Sequence, residues 1–233
     1  MTKLVENAYR DVNIAFANEL SMISDSLGLD VWEVIRLANR HPRVNILQPG
    51  PGVGGHCIAV DPWFIVHGAP EETPLIRTAR GVNDGKIHHV IARAEALIEA
   101  HPGQPVACLG LAFKANIDDF RESPARAVAA RLARKFGSRI KVVEPYAAEL
   151  PREFEGTSAE LIDIDTALES CGVLIVLVDH DAFKAVPLAE LDTEVYTYAE
   201  RLANGATQAI RATKRSINMA LCAQAVATAD EPA

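Results

Sequence analysis

Three short apolar runs in the second half of the chain constrain the fold most strongly. They cover residues 106–111, 140–143 and 173–178, and each has the length and composition of a buried strand. Helical segments lie between them. Ser123 and Pro124 suit the start of one helix, which Gly137 would end, and residues 165–170 suit another. The order strand–helix–strand–helix–strand predicts an α/β fold with a Rossmann-like parallel sheet.

The first part of the chain has a different pattern. Apolar residues recur at helical spacing from residue 3 to 28, where Gly28 would end the helix. Further helices are expected at 31–39, with Asp30 as the N-cap, and at 74–100. The members of the first stripe are Leu4, Ala8, Val12, Ala15, Phe16, Leu20, Ile23 and Leu27. We therefore expect a helical domain over residues 1–103, an α/β domain over 104–198 and a separate helical tail over 199–233.

Composition excludes several classes of protein. The 233 residues include 23 Lys and Arg against 31 Asp and Glu, which disfavours nucleic-acid binding. No apolar run approaches the roughly 18 residues of a membrane span, and the N-terminus lacks an apolar signal core, so a cytoplasmic location is expected. The four cysteines form no CxxC pair, and the histidines show no ligand spacing, so neither a disulfide scaffold nor a metal site is expected.

Residues 49–57 form a loop rich in glycine and proline that ends at Cys57. Gly50, Gly52 and Gly55 formally satisfy the pattern GxGxxG, but a dinucleotide-binding turn follows a strand and opens a helix. Here a helix and a proline-rich segment precede the loop, and Pro51 lies inside it. The better interpretation is that the glycines let the backbone approach a ligand and present Cys57.

Cys57 and Asp61 are four residues apart, so a helix beginning near Cys57 would place both side chains on one face. A helix N-terminus favours a nucleophilic thiolate, and a nearby carboxylate can act as a base toward water. The spacing also suits a buried structural cysteine beside a capping Asp. Lys3, Asn7 and Arg10 form a polar stripe that could donate to an oxyanion or could be a solvated helix face.

The loops at the carboxyl ends of the expected strands are candidate ligand sites. They carry Phe113 and Lys114, then Glu144, and then Asp179 and His180. Lys114 followed by the helix start at Ser123 suits a phosphate, although ordinary loop and cap chemistry would give the same pattern.

Three motifs together resemble the UDP-glucose/GDP-mannose dehydrogenase family. The start of its central helical domain is similar to KLVEN at 3–7 with NIAFANEL at 13–20. Its catalytic-cysteine motif is similar to GVGGHCIAVDP at 52–62, and the start of its UDP-binding domain to GLAFK at 110–114 with DDFRESP at 118–124. Since the motifs follow the family's order, the chain is identified as a member.

The resemblance implies a reaction and a role for several residues. NAD takes two hydrides from C6 of a UDP-sugar, and the product is the uronate used in polysaccharide synthesis. The Cys57 thiolate would form a thiohemiacetal and then a thioester, which water would hydrolyse with help from Asp61. Lys3 and Asn7 would polarise the C6 oxygen. Residues 39–64 narrow the resemblance to members that oxidise UDP-N-acetylmannosamine.

The resemblance also implies binding residues and partners. Those assigned to the UDP-sugar are Arg43, Gly52, Gly54, Gly55, Phe113 and Lys114, with Arg43 reaching a neighbouring subunit's substrate. Arg121 is assigned to the cofactor. A homodimer through the central helical domain is expected.

Two departures from the family are expected to affect activity. The family's N-terminal NAD domain would precede residue 1, so we expect this chain to be inactive alone. Residues 199–233 differ from the family and weakly resemble a helical piece of the enoyl-CoA hydratase family. A non-catalytic, dimerising UDP-sugar-binding fragment is the alternative, and a hydrolase that uses Cys57 and Asp61 is a third possibility.

Overall fold

The computed structural model describes residues 1–184 and the backbone of 194–197. The helices are α1 Thr2–Leu27, α2 Val31–Ala38, α3 Asp61–Gly68, α4 Pro74–Ala100, α5 Pro124–Phe136, α6 Ile164–Ser170 and α7 Asp181–Lys184. The strands are β1 Val106–Leu109, β2 Ile140–Val143, β3 Glu160–Leu161, β4 Val173–Val176 and β5 Glu194–Thr197. The expected tail at 199–233 lies outside the described residues.

The helix ends follow from local chemistry. α1 ends where Gly28 adopts a left-handed conformation, and the Asp30 carboxylate caps α2 by accepting from the N–H of Trp32 and Glu33. Ser123 caps α5, and Pro124 is its first residue. These helix starts and stops confirm the sequence prediction. No helix in the described part of the chain is long and apolar enough to cross a membrane.

The sheet is parallel throughout, in the order β3-β2-β1-β4-β5. β1 is central, with Cys108 in register between Val142 of β2 and Ile175 of β4. The predicted Rossmann-like sheet is confirmed. Since β2 and β4 flank β1, the loops after these three strands meet at one edge, which is where such sheets bind ligands.

One buried cluster joins this sheet to the helical region. It contains Val90, Ala94 and Ile98 of α4 together with the inner faces of β1, β2, β4 and α5. A second cluster on the other face of the sheet includes Leu109, Leu174 and Ala167 of α6. The long α4 helix therefore contributes to the core of the α/β region as well as packing on α1.

The structure differs from the sequence prediction in its strands, and it also shows how far the apolar stripe of α1 is buried. β1 and β4 end at Leu109 and Val176, each two residues earlier than expected. β1 ends there because Gly110 turns the chain with a φ of 93°. Neither the short β3 nor β5 was expected. In α1 the apolar stripe is only partly buried, since Phe16 is 52% exposed and Leu27 is 64% exposed.

Candidate active site

Cys57 lies in a turn that leads directly into α3. The Cys57 carbonyl accepts hydrogen bonds from the N–H of Val60 at 3.1 Å and of Asp61 at 2.8 Å. α3 begins at Asp61, so the thiol precedes the helix by one turn. Cys57 is half-buried, whereas Cys108 and Cys171 are buried.

Asp61 is a buried carboxylate held by donors from α1. The Asn7 amide donates to Asp61 Oδ2 at 2.6 Å, and Lys3 Nζ lies 3.7 Å from the same oxygen. The structure therefore brings Lys3, Asn7 and Asp61 together, which the sequence separates by more than 50 positions. Arg10, the third member of the expected stripe, is exposed.

The glycines of the loop before Cys57 pack against the α/β region. A Cβ at Gly54 would lie 2.7 Å from the Glu122 carbonyl oxygen and 2.8 Å from Phe113 Cβ. Gly55 has a φ of +83°, and a Cβ there would lie 3.0 Å from the Phe113 ring. A Cβ at Gly52 would likewise come close to the Pro124 ring. The glycines permit this close approach, which brings the Cys57 loop against the segment that carries Phe113.

Asn18 anchors the beginning of the glycine loop, which sequence reasoning missed. Its Oδ1 accepts from the Gly50 N–H at 2.9 Å, while its Nδ2 donates to Asn83 of α4 at 2.9 Å. Asn83 in turn donates to Asp11, which pairs with Arg80. A polar side chain on the inner face of α1 was the available signal, because a buried amide needs partners.

Arg121 forms an ion pair with Asp119 two residues before it. Its Nε donates to Asp119 Oδ1 at 2.9 Å and its Nη2 to Oδ2 at 2.6 Å. These hydrogen bonds lower the pKa of Asp119 to about 2. Asp119 raises the pKa of Arg121, and Cys57 makes a smaller contribution in the same direction. Arg121 is thus within electrostatic reach of the thiol.

Lys114 and Arg43 are both exposed. Lys114 follows β1 in the bend that also carries Phe113, next to the glycine loop. Arg43 lies in the turn after α2, and its guanidinium has no hydrogen bond or ion pair among residues 1–184. The structure therefore brings Phe113 to the Cys57 loop but does not bring Arg43 into contact with it.

The loops after β2 and β4 do not present Glu144 and His180 to solvent, as a ligand site would require. Both side chains are completely buried and lie 3.3 Å apart. They contact the backbone of the loop after β1 instead. The expectation that they line the ligand site was wrong, and Asp179 is half-buried beside Lys184.

The described residues do not fit a dinucleotide cradle. The GxGxxG-like segment lies between helices, and the space beside Gly52, Gly54 and Gly55 is filled by Phe113 and Pro124. The space beside Gly110, at the first turn of the sheet, is filled by Val178. Within residues 1–184 no group of His, Cys, Asp and Glu side chains could hold a metal ion.

Comparison with protein families gives two matches. Residues 1–85 match the UDP-glucose/GDP-mannose dehydrogenase family, central domain, and residues 107–204 match the UDP binding domain of the same family. The chain is 56% identical over 195 residues to UDP-N-acetyl-D-mannosamine dehydrogenase of Salmonella typhi, covering 80% of this chain and 46% of that protein. It is 54% identical over 195 residues to NDP-N-acetyl-D-galactosaminuronic acid dehydrogenase of Ralstonia solanacearum, covering 84% and 46%.

Solved structures show the same similarity. The UDP-D-ManNAc dehydrogenase of Pyrococcus horikoshii matches with a TM-score of 0.71 at 34% identity, covering 84% of this chain and 45% of that one. The UDP-N-acetyl-mannosamine dehydrogenase of Staphylococcus aureus matches with a TM-score of 0.70 at 36% identity, covering 85% and 50%. The chain thus spans about half the length of the relatives it matches.

Proposed function

We propose a function from the premise that this chain belongs to the UDP-glucose/GDP-mannose dehydrogenase family, whose central and UDP-binding domains it matches. The chain supplies the thiol and the sugar-nucleotide half of a UDP-sugar 6-dehydrogenase. The domain bounds are 1–103 for the helical domain and 104–198 for the UDP-binding domain. The observation that carries the proposal is the Asp61 carboxylate, held by Asn7 and Lys3 one turn after Cys57.

Cys57 acts as the nucleophile toward a C6 aldehyde. Its sulfur bonds to the carbonyl carbon, and the oxygen takes a proton, giving a thiohemiacetal. The Asn7 amide has a second N–H and the Lys3 ammonium has three. Both can therefore hold Asp61 and still donate to the oxygen on which charge develops.

Asp61 acts as the base once the carbon is at the acyl level. It takes a proton from water as the water oxygen attacks the thioester carbon, and the carbon–sulfur bond breaks to release the Cys57 thiolate and the uronic acid, which gives its remaining proton to solvent and becomes the uronate. NAD is the hydride acceptor implied for both oxidations in this family. Since the described residues lack a dinucleotide cradle, we propose that the chain by itself does not turn over.

The sugar nucleotide binds beside the junction at which the glycine loop packs on the loop after β1. Phe113 packs on Gly54 and Gly55, so the exposed Lys114 is adjacent to this junction and suits a phosphate. Arg121, within electrostatic reach of Cys57, is proposed to contact the cofactor. The substrate we propose is UDP-N-acetylmannosamine, on the strength of the 56% identity to the Salmonella typhi enzyme.

A homodimer through α1 completes the proposal. The side chains of Val5, Tyr9, Phe16, Ile23 and Leu27 are 44–68% exposed. They recur at intervals of four and seven residues, so they form one apolar stripe along the helix. A second copy of this chain would cover the stripe, and Arg43, exposed and without an ion-pair partner among residues 1–184, is proposed to reach the other copy's substrate. Mutating Phe16 to Glu should shift a dimer to monomer in analytical ultracentrifugation.

Calorimetric titration tests the binding half of the proposal. We expect the chain to bind UDP-N-acetylmannosamine, and we expect Lys114→Ala to weaken binding by about tenfold, the loss of one charge-assisted contact. Lys135→Ala is the matched control. Lys135 lies at the C-terminal end of α5, where it pairs with Glu95 and Glu99 of α4. Absence of binding, or equal binding by the Lys114 variant, would contradict the proposed site.

A second experiment tests the chemistry separately from NAD. The chain is mixed with the C6 aldehyde of the UDP-sugar, labelled with ¹³C at C6, and the thiohemiacetal carbon is observed by NMR. Cys57→Ser should abolish the signal and Asp61→Asn should leave it. NAD reduction by the isolated chain would contradict its proposed inactivity, and sugar-nucleotide binding without a Cys57 adduct would favour the alternative of a non-catalytic binding fragment.

A further inference from the structure

Glu144, at the end of β2, binds the backbone of the loop that follows β1. Its Oε2 accepts from the N–H of Leu111 at 2.6 Å and of Ala112 at 3.2 Å. Its Oε1 accepts from the N–H of Tyr146 at 3.0 Å. The carboxylate therefore replaces the ladder bonds that β1 would have made had it continued past Gly110.

His180, after β4, binds the far end of the same loop. The Asn116 N–H donates to His180 Nδ1 at 2.9 Å, so this nitrogen carries no proton. The proton of the neutral ring is then on Nε2, which lies 3.3 Å from Glu144 Oε2 and donates to it. The partners thus fix one tautomer, and the two side chains connect both ends of the loop.

A third contact closes the arrangement at the surface. The Asn116 amide donates to Asp181 Oδ2 at 2.7 Å, and its Oδ1 accepts from the Asp181 N–H at 2.9 Å. Asn116 itself adopts a left-handed conformation with a φ of 61°. The loop is therefore held at residues 111, 112 and 116, and between these anchors lie Phe113 and Lys114.

The burial of Glu144 and His180 is unfavourable unless their hydrogen bonds are well formed. Both side chains are completely buried, and a buried carboxylate is unfavourable unless hydrogen bonds satisfy it. Burial by itself would raise the pKa of Glu144, but the hydrogen bonds from His180, Leu111 and Tyr146 outweigh it and the pKa is lowered. An apolar pair would fill the space, but it would leave four backbone N–H groups, those of Leu111, Ala112, Tyr146 and Asn116, without acceptors.

We propose that Glu144 and His180 are positioning residues that shape the 111–116 loop so that Phe113 and Lys114 can bind the sugar nucleotide. This rests on the proposed function, since Phe113 packs on the glycine loop and Lys114 is its expected phosphate ligand. Neither positioning residue touches the ligand. They act by keeping the loop in its binding conformation, and apparent affinity falls in proportion to the fraction of molecules that hold it.

Three variants of the full chain separate positioning from simple stability. His180→Phe keeps the ring that packs on Tyr146 and Phe183 but removes both hydrogen bonds. His180→Asn restores an acceptor for the Asn116 N–H. Ile140→Ala is the matched control, because it removes buried volume at the opposite end of β2 and leaves the loop contacts intact. Each is titrated with UDP by calorimetry, and hydrogen exchange of residues 111–116 is followed by mass spectrometry.

We expect His180→Phe to raise the Kd for UDP by about tenfold, if the ordered fraction falls to about a tenth, and to speed exchange in the loop. His180→Asn should recover most of the affinity, and Ile140→Ala should lower the unfolding midpoint while leaving both readouts unchanged. Asp181→Ala, at an exposed position, gives a milder loosening of the loop and replaces His180→Phe if that variant does not fold.

Unchanged affinity and exchange in His180→Phe would overturn the proposal. Equal weakening by Ile140→Ala would also overturn it, because the effect would then come from general destabilisation. If the unmodified chain does not bind UDP, the proposed function fails. The exchange data then still decide whether His180 shapes the loop, so the two failures are distinguishable.

Discussion

The Asn7 amide donates a 2.6 Å hydrogen bond to the Asp61 carboxylate, across 54 positions of the sequence. This contact fixes the start of α1 against the start of α3. It also sets the environment of Asp61, since a buried carboxylate is stable as an anion only when donors surround it. The turn that carries Cys57 ends at this same residue, so the Asn7–Asp61 contact positions the thiol relative to α1.

Mutating Asn7 to Ala should destabilise the protein by about 1.5–3 kcal/mol, because the buried Asp61 loses a hydrogen bond to a charged acceptor. Urea unfolding measures the change. Asn13→Ala is the control, since Asn13 lies on the same helix and donates only to the exposed Tyr9 carbonyl. In a double-mutant cycle with Asp61→Ala we expect a coupling of about 1–2 kcal/mol, and additive effects would contradict direct pairing.

Gly54→Ala should destabilise the protein by about 1–3 kcal/mol, because the new methyl group would meet backbone atoms that cannot move aside easily. The Glu122 carbonyl oxygen and Pro124 Cδ would both lie 2.7 Å from it. Gly81→Ala, on α4, has nothing within 4 Å and should instead stabilise by about 0.5–1 kcal/mol through helix propensity. Thermal unfolding of both variants compares them, and equal effects would mean that the loop does not pack as described.

Local signals in the sequence were sufficient for most of the fold. The caps at Asp30 and Ser123, the stops at Gly28 and Gly137 and the apolar strand runs each depend on neighbouring residues, and all were predicted. β3 was missed because two residues carry no periodicity. β1 was predicted too long because its apolar run continues past the turn at Gly110, where the carboxylate of Glu144, distant in sequence, accepts the hydrogen bonds.

The candidate site was harder to predict, because it depends on distant partners. Motif resemblance indicated Cys57, Asp61, Lys3 and Asn7, and the last three do meet in the structure. Nothing local indicated that Asn18 would hold the glycine loop. At His180 the sequence suggested a ligand site, because the residue follows a strand. Its side chain is buried instead.

Alkylation by iodoacetamide should be selective for Cys57 in the folded protein. Cys108 is completely buried, and burial raises the pKa of its thiol to about 12. Burial also raises the pKa of Cys171, which is 4% exposed. Cys222 lies outside the described residues, so it is replaced by Ser in this experiment. Peptide mapping then measures the modification of the other three cysteines. Modification of Cys108 at a rate similar to Cys57 would contradict the described packing, and urea should abolish the selectivity.

Because Lys86 is buried, we expect the free energy of unfolding to rise under alkaline conditions. Its side chain is 1% exposed between α1 and α4, where Nζ donates to Ser21 at 2.7 Å. Burial lowers the pKa of Lys86 to about 8, although the charge of Asp25 opposes the shift. Between about pH 8 and 10.5 the unfolded chain therefore binds a proton that the folded chain has released, and such a difference makes unfolding less favourable as pH rises.

The Lys86→Met variant isolates this contribution. Met fills similar volume without titrating, so it lacks the penalty that the charged amine causes at pH 7. As pH rises from about 8 to 10.5, we expect the unfolding free energy of the unmodified chain to increase relative to that of the variant. The increase should be on the order of 3 kcal/mol, at about 1.4 kcal/mol per pKa unit. Urea unfolding at several pH values measures both proteins. Parallel pH profiles would mean that Lys86 keeps its ordinary pKa, because water or a counter-charge then reaches the amine between the two helices.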